Sequence, residues 1–76
     1  MDISNEIKVI RQKAFMTQEA FAKALNVAFS TVNRWESGKT NPNMTAMKQL
    51  KKFCDENNIS FDELENVWLS KTRRSE

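Results

Sequence analysis

Phe29, Ser30, Asn33 and Arg34 stand at helical spacing around Val32 and Trp35, so the apolar pair can face a core while the other four point outward. The chemistry open to those outward side chains is recognition by hydrogen bonding. An Arg guanidinium matches guanine O6 and N7, an Asn amide matches adenine N6 and N7, and a Ser hydroxyl serves either. Phe29 can pack against a thymine methyl or fold back onto the protein. Covalent and metal chemistry lack their residues: the 76-residue chain has no His, one Cys, one Gly and one Pro. His/Cys metal sites, Cys-His and Ser-His pairs and glycine-rich phosphate loops are thereby set aside, and no cofactor is expected. A chain this short builds one small core without a substrate pocket, which argues against an enzyme.

The elements that must hold this face follow from local signals. Thr17 can cap a helix whose inner face carries Phe21, Ala22 and Leu25. A small side chain at Ala22 lets a second helix cross closely. Asn26 tolerates the left-handed conformation needed to turn the chain, Val27 covers the turn, and Gly38 closes the next helix. Upstream, Ile3, Ile7, Ile10 and Ala14 define an amphipathic first helix, and Phe15 and Met16 are expected to join the core as the connection into the second. Downstream, Asn43 stands where a cap is wanted before an inward stripe of Met44, Met47, Leu50 and Cys54. The lone Cys54 is read as buried and apolar. Asn57 and Asn58 stop that helix. Ser60 and Glu63 have capping-box spacing and open a fifth helix along Phe61, Leu64 and Val67 or Trp68. Trp68 and Leu69 either complete the core or form a contact with a second copy. The ordered domain is expected over residues 1–70, with 71–76 as a mobile tail.

Residues 17–39 resemble the helix-turn-helix of the phage repressor and Cro family, also called the XRE family. The resemblance rests on Gln18, Ala22, Asn26, Val32 and the run Arg34, Trp35, Glu36, Ser37, Gly38, Lys39, and it extends over about residues 7–64. It implies an all-α, five-helix, lambda-repressor-like domain with the helix-turn-helix at helices 2 and 3. It implies sequence-specific binding of double-stranded DNA by a transcriptional regulator, repressor-like and of phage or mobile-element type. The base-reading positions are then Ala28, Phe29, Ser30, Asn33 and Arg34. Arg11, Gln18, Lys39, Thr40 and Asn41 are the DNA-backbone positions, and Arg11 pairs with Glu36 between the first and third helices. Two residues depart from the family pattern. Ala28 stands where a capping Ser or Thr is common, so another group caps the third helix or the helix begins later, at Ser30. Phe29 occupies a position that is usually polar.

Charge agrees with that resemblance without requiring it. Residues 1–52 carry nine Lys or Arg against four Asp or Glu, and residues 53–76 carry three against six. The basic part contains the motif, a polarity that favours approach to phosphates from one side. No run approaches the ~18 apolar residues of a membrane span and no signal-peptide pattern opens the chain, so a cytoplasmic protein is expected, with no membrane partner. A DNA-targeting domain or controller or antitoxin subunit of a larger system, and a protein-interaction module, are the competing readings. A homodimer through the C-terminal helix is the expected assembly if one forms.

Overall fold

The computed structural model describes residues 2–73 as five helices: α1 (Ile3–Lys13), α2 (Gln18–Leu25), α3 (Phe29–Glu36), α4 (Met44–Glu56) and α5 (Asp62–Arg73). Three starts are fixed by side-chain caps of the kind that satisfy free amides in a first turn. Asp2 accepts from Asn5 N, Thr17 from Ala20 N at 3.1 Å, and Asn43 from Ala46 N at 2.9 Å. The bonds from Asn5 N and from the Ser4 hydroxyl hold the Asp2 carboxyl below its usual pKa. Helix α3 has no such cap: it begins directly after Ala28, so Ser30 lies inside the helix rather than at its start.

Four helices end in one way. Phe15, Asn26, Gly38 and Asn58 each take a positive φ between 57° and 81° just past α1 to α4. The following amide returns to a carbonyl in the last turn: Met16 N to Arg11 O, Val27 N to Ala22 O, Lys39 N to Arg34 O and Ile59 N to Cys54 O. This closure satisfies carbonyls that a helix end otherwise leaves bare. Gly and Asn suit the position. Phe does not, because a Cβ in the left-handed region crowds the following carbonyl oxygen.

Ile3, Ile7 and Ile10 of α1, Phe21, Ala22 and Leu25 of α2, and Val32 and Trp35 of α3 are buried together. From α4 and α5 come Ala46, Met47, Leu50, Phe53 and Cys54, then Leu64 and Trp68, with Phe61 just ahead of α5. Helix α3 packs against both α1 and α2, α4 supports α2, and α5 closes against α1. The Phe21 and Phe53 rings meet edge to face, centroids 5.1 Å apart. Burial pushes the Cys54 thiol up to about 11, with the neighbouring Asp55 carboxylate adding to the rise.

Several expectations are corrected. Phe15 is not core: it is 95% exposed. The connection is pinned on both sides by Arg11, whose carbonyl takes the Met16 amide and whose Nη1 donates to the Met16 carbonyl at 2.9 Å. The residue between must turn left-handed and throw its side chain outward. Met16 is half-buried against the core, as expected. Met44 is 61% exposed at the first position of α4, and the inward stripe runs instead through Ala46, Met47, Leu50, Phe53 and Cys54. The capping box at Ser60 and Glu63 does not form. Helix α5 starts at Asp62, the Phe61 carbonyl accepts from Glu65 N at 2.9 Å, and the Ser60 hydroxyl reaches only Asp62 N at 3.4 Å. Buried Phe61 sets that start, and Asp62, Glu63 and Glu65 place negative charge at the positive end of the helix dipole. Trp68 lies in the core, its Nε1 donating to Pro42 O at 2.7 Å. Helix α5 runs on to Arg73, past the boundary expected at residue 70; residues 74–76 of the expected tail lie outside the described residues.

Candidate nucleic-acid interface

With Val32 and Trp35 inside, α3 presents Phe29, Ser30, Asn33 and Arg34 to solvent, and Ala28 is exposed at its start. Phe29 is 51% exposed, so it neither joins the core nor stands fully clear of the protein. Arg34 makes no ion pair or side-chain hydrogen bond among the described residues. Its carbonyl, by contrast, is crowded: it accepts from Lys39 N at 3.0 Å, Thr40 N at 3.4 Å and the Ser37 hydroxyl at 3.2 Å. Those bonds fold the loop back over the end of α3, and Lys39 and Thr40 stay exposed beside the outward face of that helix. Asn41 is exposed too, but lines a separate depression with Val27, Thr31, Trp35 and Asn43.

The other flank of the face is a chain of polar contacts linking α1, α2 and α3. Arg11 Nε donates to Glu36 Oε2 at 2.7 Å and its Nη2 to Oε1 at 3.0 Å, a two-pronged ion pair with the Arg and Glu side chains only 15% and 5% exposed. The pairing raises the Arg11 pKa further above its ordinary value against the opposing effect of burial. Gln18 Nε2 donates to the same Glu36 Oε1 at 3.0 Å, and Gln18 Oε1 accepts from Asn33 Nδ2 at 3.2 Å. Gln18 also opens α2, where its own amide and that of Glu19 have no acceptor among the described residues. Such free amides, at the positive end of a helix dipole, can hold a phosphate oxygen.

Lys8 is the residue that sequence reading passed over. It lies one turn before Arg11 on α1 and lines the same crevice as Arg11, Gln18, Asn33, Glu36 and Ser37. The Lys8 to Arg11 spacing was the available signal. The crevice therefore has a cation at its rim and an α3 amide in its wall.

A family model described as helix-turn-helix matches residues 7–64. The chain belongs to this family, in its XRE type. The helix-turn-helix is α2, the turn at Asn26 and α3, with α1, α4 and α5 as its support. Among characterised relatives, the HTH-type transcriptional activator BcrR of Enterococcus faecalis is 34% identical over 64 residues, covering 84% of this chain and 30% of that protein. The chain thus spans under a third of that relative's length. No solved structure matches the helix-turn-helix chain. No described helix is long and apolar enough to cross a membrane. Among the described residues no cluster of His, Cys, Asp or Glu has the makings of a metal site.

Proposed function

We propose that this helix-turn-helix domain binds double-stranded DNA sequence-specifically and regulates transcription by occupying its site, as a cytoplasmic protein. The observation that carries the reading is the exposed face of α3, held rigid by buried Val32 and Trp35 and flanked on both sides by groups suited to phosphates. Ala28, Phe29, Ser30, Asn33 and Arg34 approach base edges in the major groove, with Arg34 best suited to guanine. The amides at the start of α2, Arg11 and Gln18 on one flank, and Lys39, Thr40 and Asn41 on the other, position the domain on the backbone. Backbone contacts of this kind orient without specifying.

Occupancy can exclude a polymerase or recruit one. Resemblance to phage repressors favours exclusion, whereas the relative from Enterococcus faecalis is named an activator. A reporter driven from the selected site decides the sign. A second reading is favoured by length, since this chain matches only 30% of that relative: the domain is then the DNA-targeting part of a larger system.

The test is selection of the purified protein on a random duplex library at near-physiological salt. Two inverted half-sites about 10 base pairs apart would support a symmetric dimer and an operator-binding regulator. A single short site would favour the targeting-domain reading. Absence of any enriched sequence would remove specific recognition.

A further inference from the structure

The contacts between Gln18, Glu36 and Asn33 have a direction that their chemistry fixes. A carboxylate only accepts hydrogen bonds, so Glu36, already held by Arg11, requires Gln18 to turn its NH2 group inward. The Gln18 oxygen then faces the other way, toward α3, where it accepts from Asn33 Nδ2 at 3.2 Å. With one N–H of Asn33 given to Gln18, its second N–H and its Oδ1 are left unused on the exposed side of α3. One donor and one acceptor on a single amide form the pattern that pairs with adenine N7 and N6.

We infer that Gln18 is a specificity-positioning residue: through its bond to Glu36 it sets the amide orientation of Asn33, and so selects an A·T pair at one place in the bound sequence. This rests on the proposal that α3 reads duplex DNA. It assigns Gln18 a task distinct from holding a phosphate, although the residue touches no base. The ion pair acts as the anchor of the relay. An unanchored Asn can rotate its amide and serve as donor or acceptor to several bases, whereas the anchored one presents a single pattern.

The experiment compares wild type, Asn33→Ala, Gln18→Met and the double variant on duplexes that differ at the position where Asn33→Ala changes the selected base. Wild type should prefer A·T there by about tenfold, the scale of one good two-bond contact. Asn33→Ala should abolish that preference. Gln18→Met keeps the length of the side chain and loses both hydrogen bonds. It should lower the preference at the same position by about threefold or more, leave preferences elsewhere intact, and add nothing in the double variant. Gln18→Ala, with helicity and unfolding midpoint measured alongside, repeats the comparison should the Met variant be unstable. If Gln18 variants weaken every sequence equally while the A·T preference survives, Gln18 is only a backbone contact and the inference is overturned. If Asn33→Ala leaves base preference unchanged, the inference also falls. Failure of the wild-type protein to discriminate any sequence would instead sink the DNA-reading proposal itself, a distinguishable result.

Discussion

Replacing Arg11 by Met strands a carboxylate that is 5% exposed, with only the Gln18 amide left to satisfy it. A buried pair broken from one side costs about 3 to 5 kcal/mol. Because Gln18 remains, the lower figure applies, ~3 kcal/mol. Glu36→Leu leaves the guanidinium, which is 15% exposed, already bonded to the Met16 carbonyl and able to swing toward water, so its cost is smaller, ~2 kcal/mol. The double variant removes both charges and puts apolar bulk in their place, an exchange that is often close to neutral; ~2 kcal/mol allows for the lost bonds to Met16 and Gln18. The pair is then coupled by ~3 kcal/mol, well above the ~0.5 kcal/mol scatter expected for independent sites. Urea unfolding followed by the fluorescence of Trp35 and Trp68, both buried, measures all four proteins. The slope against urea should stay constant across the set. If the two single losses simply add in the double variant, the contact contributes nothing as a pair and the reasoning fails.

Phe15→Gly should stabilise the fold by about 0.5 to 1 kcal/mol, since relief of a left-handed Cβ clash worth ~1 to 2 kcal/mol exceeds the entropy glycine adds to the unfolded chain. A fall in the unfolding midpoint would mean that the Phe15 side chain packs in solution. Ala28→Ser supplies the missing cap of α3 and should add ~1 kcal/mol, read by thermal unfolding; no gain would show that water already serves those amides. The Cys54 thiol, raised from 9.0 to about 11 in the fold, gives an alkaline sign. Its contribution is complete below pH 9 and is lost as pH rises through about 11, because the unfolded chain releases the proton first; the loss approaches roughly 3 kcal/mol. Comparing Cys54→Ala with wild type from pH 8 to 11 isolates it from the lysines, and parallel curves would exclude it.

The parts of the fold legible in the sequence are those governed by neighbours along the chain. Thr17 and Asn43 cap, Asn26 turns, and the three isoleucines of α1 share a face, because each rule operates within about one helical turn. The failures occur where a local rule met a constraint from outside its window. Hydrophobicity alone points Phe15 to the interior. That rule runs one way only, and the two bonds between Arg11 and Met16 leave residue 15 no interior direction. Met44 has the right spacing to Met47, yet the Asn43 cap places it on the open first turn, and Phe53 takes the core position at the far end of the helix. At Ser60 the capping signal competes with burial of Phe61, and burial wins.

The exposed residues of α3 are legible from their spacing, but the contacts that tie them to α1 and α2 are not. Glu36 and Arg11 lie 25 positions apart, and Asn33 and Gln18 lie 15 apart, so no periodicity relates them. Only resemblance joined the first pair in advance, and nothing in the sequence joined the second. Geometry makes one chain of the two: Glu36 holds the more buried ion pair among the described residues and, through Gln18, is linked to an exposed amide on α3. Stability and base selection should consequently share a residue. An enforced amide direction at Asn33 requires a fixed carboxylate at Glu36, and a fixed carboxylate requires the cation at Arg11. Substitutions of Arg11 chosen for mild effects on unfolding should therefore still loosen the A·T preference assigned to Asn33, although Arg11 lies on a helix outside the helix-turn-helix.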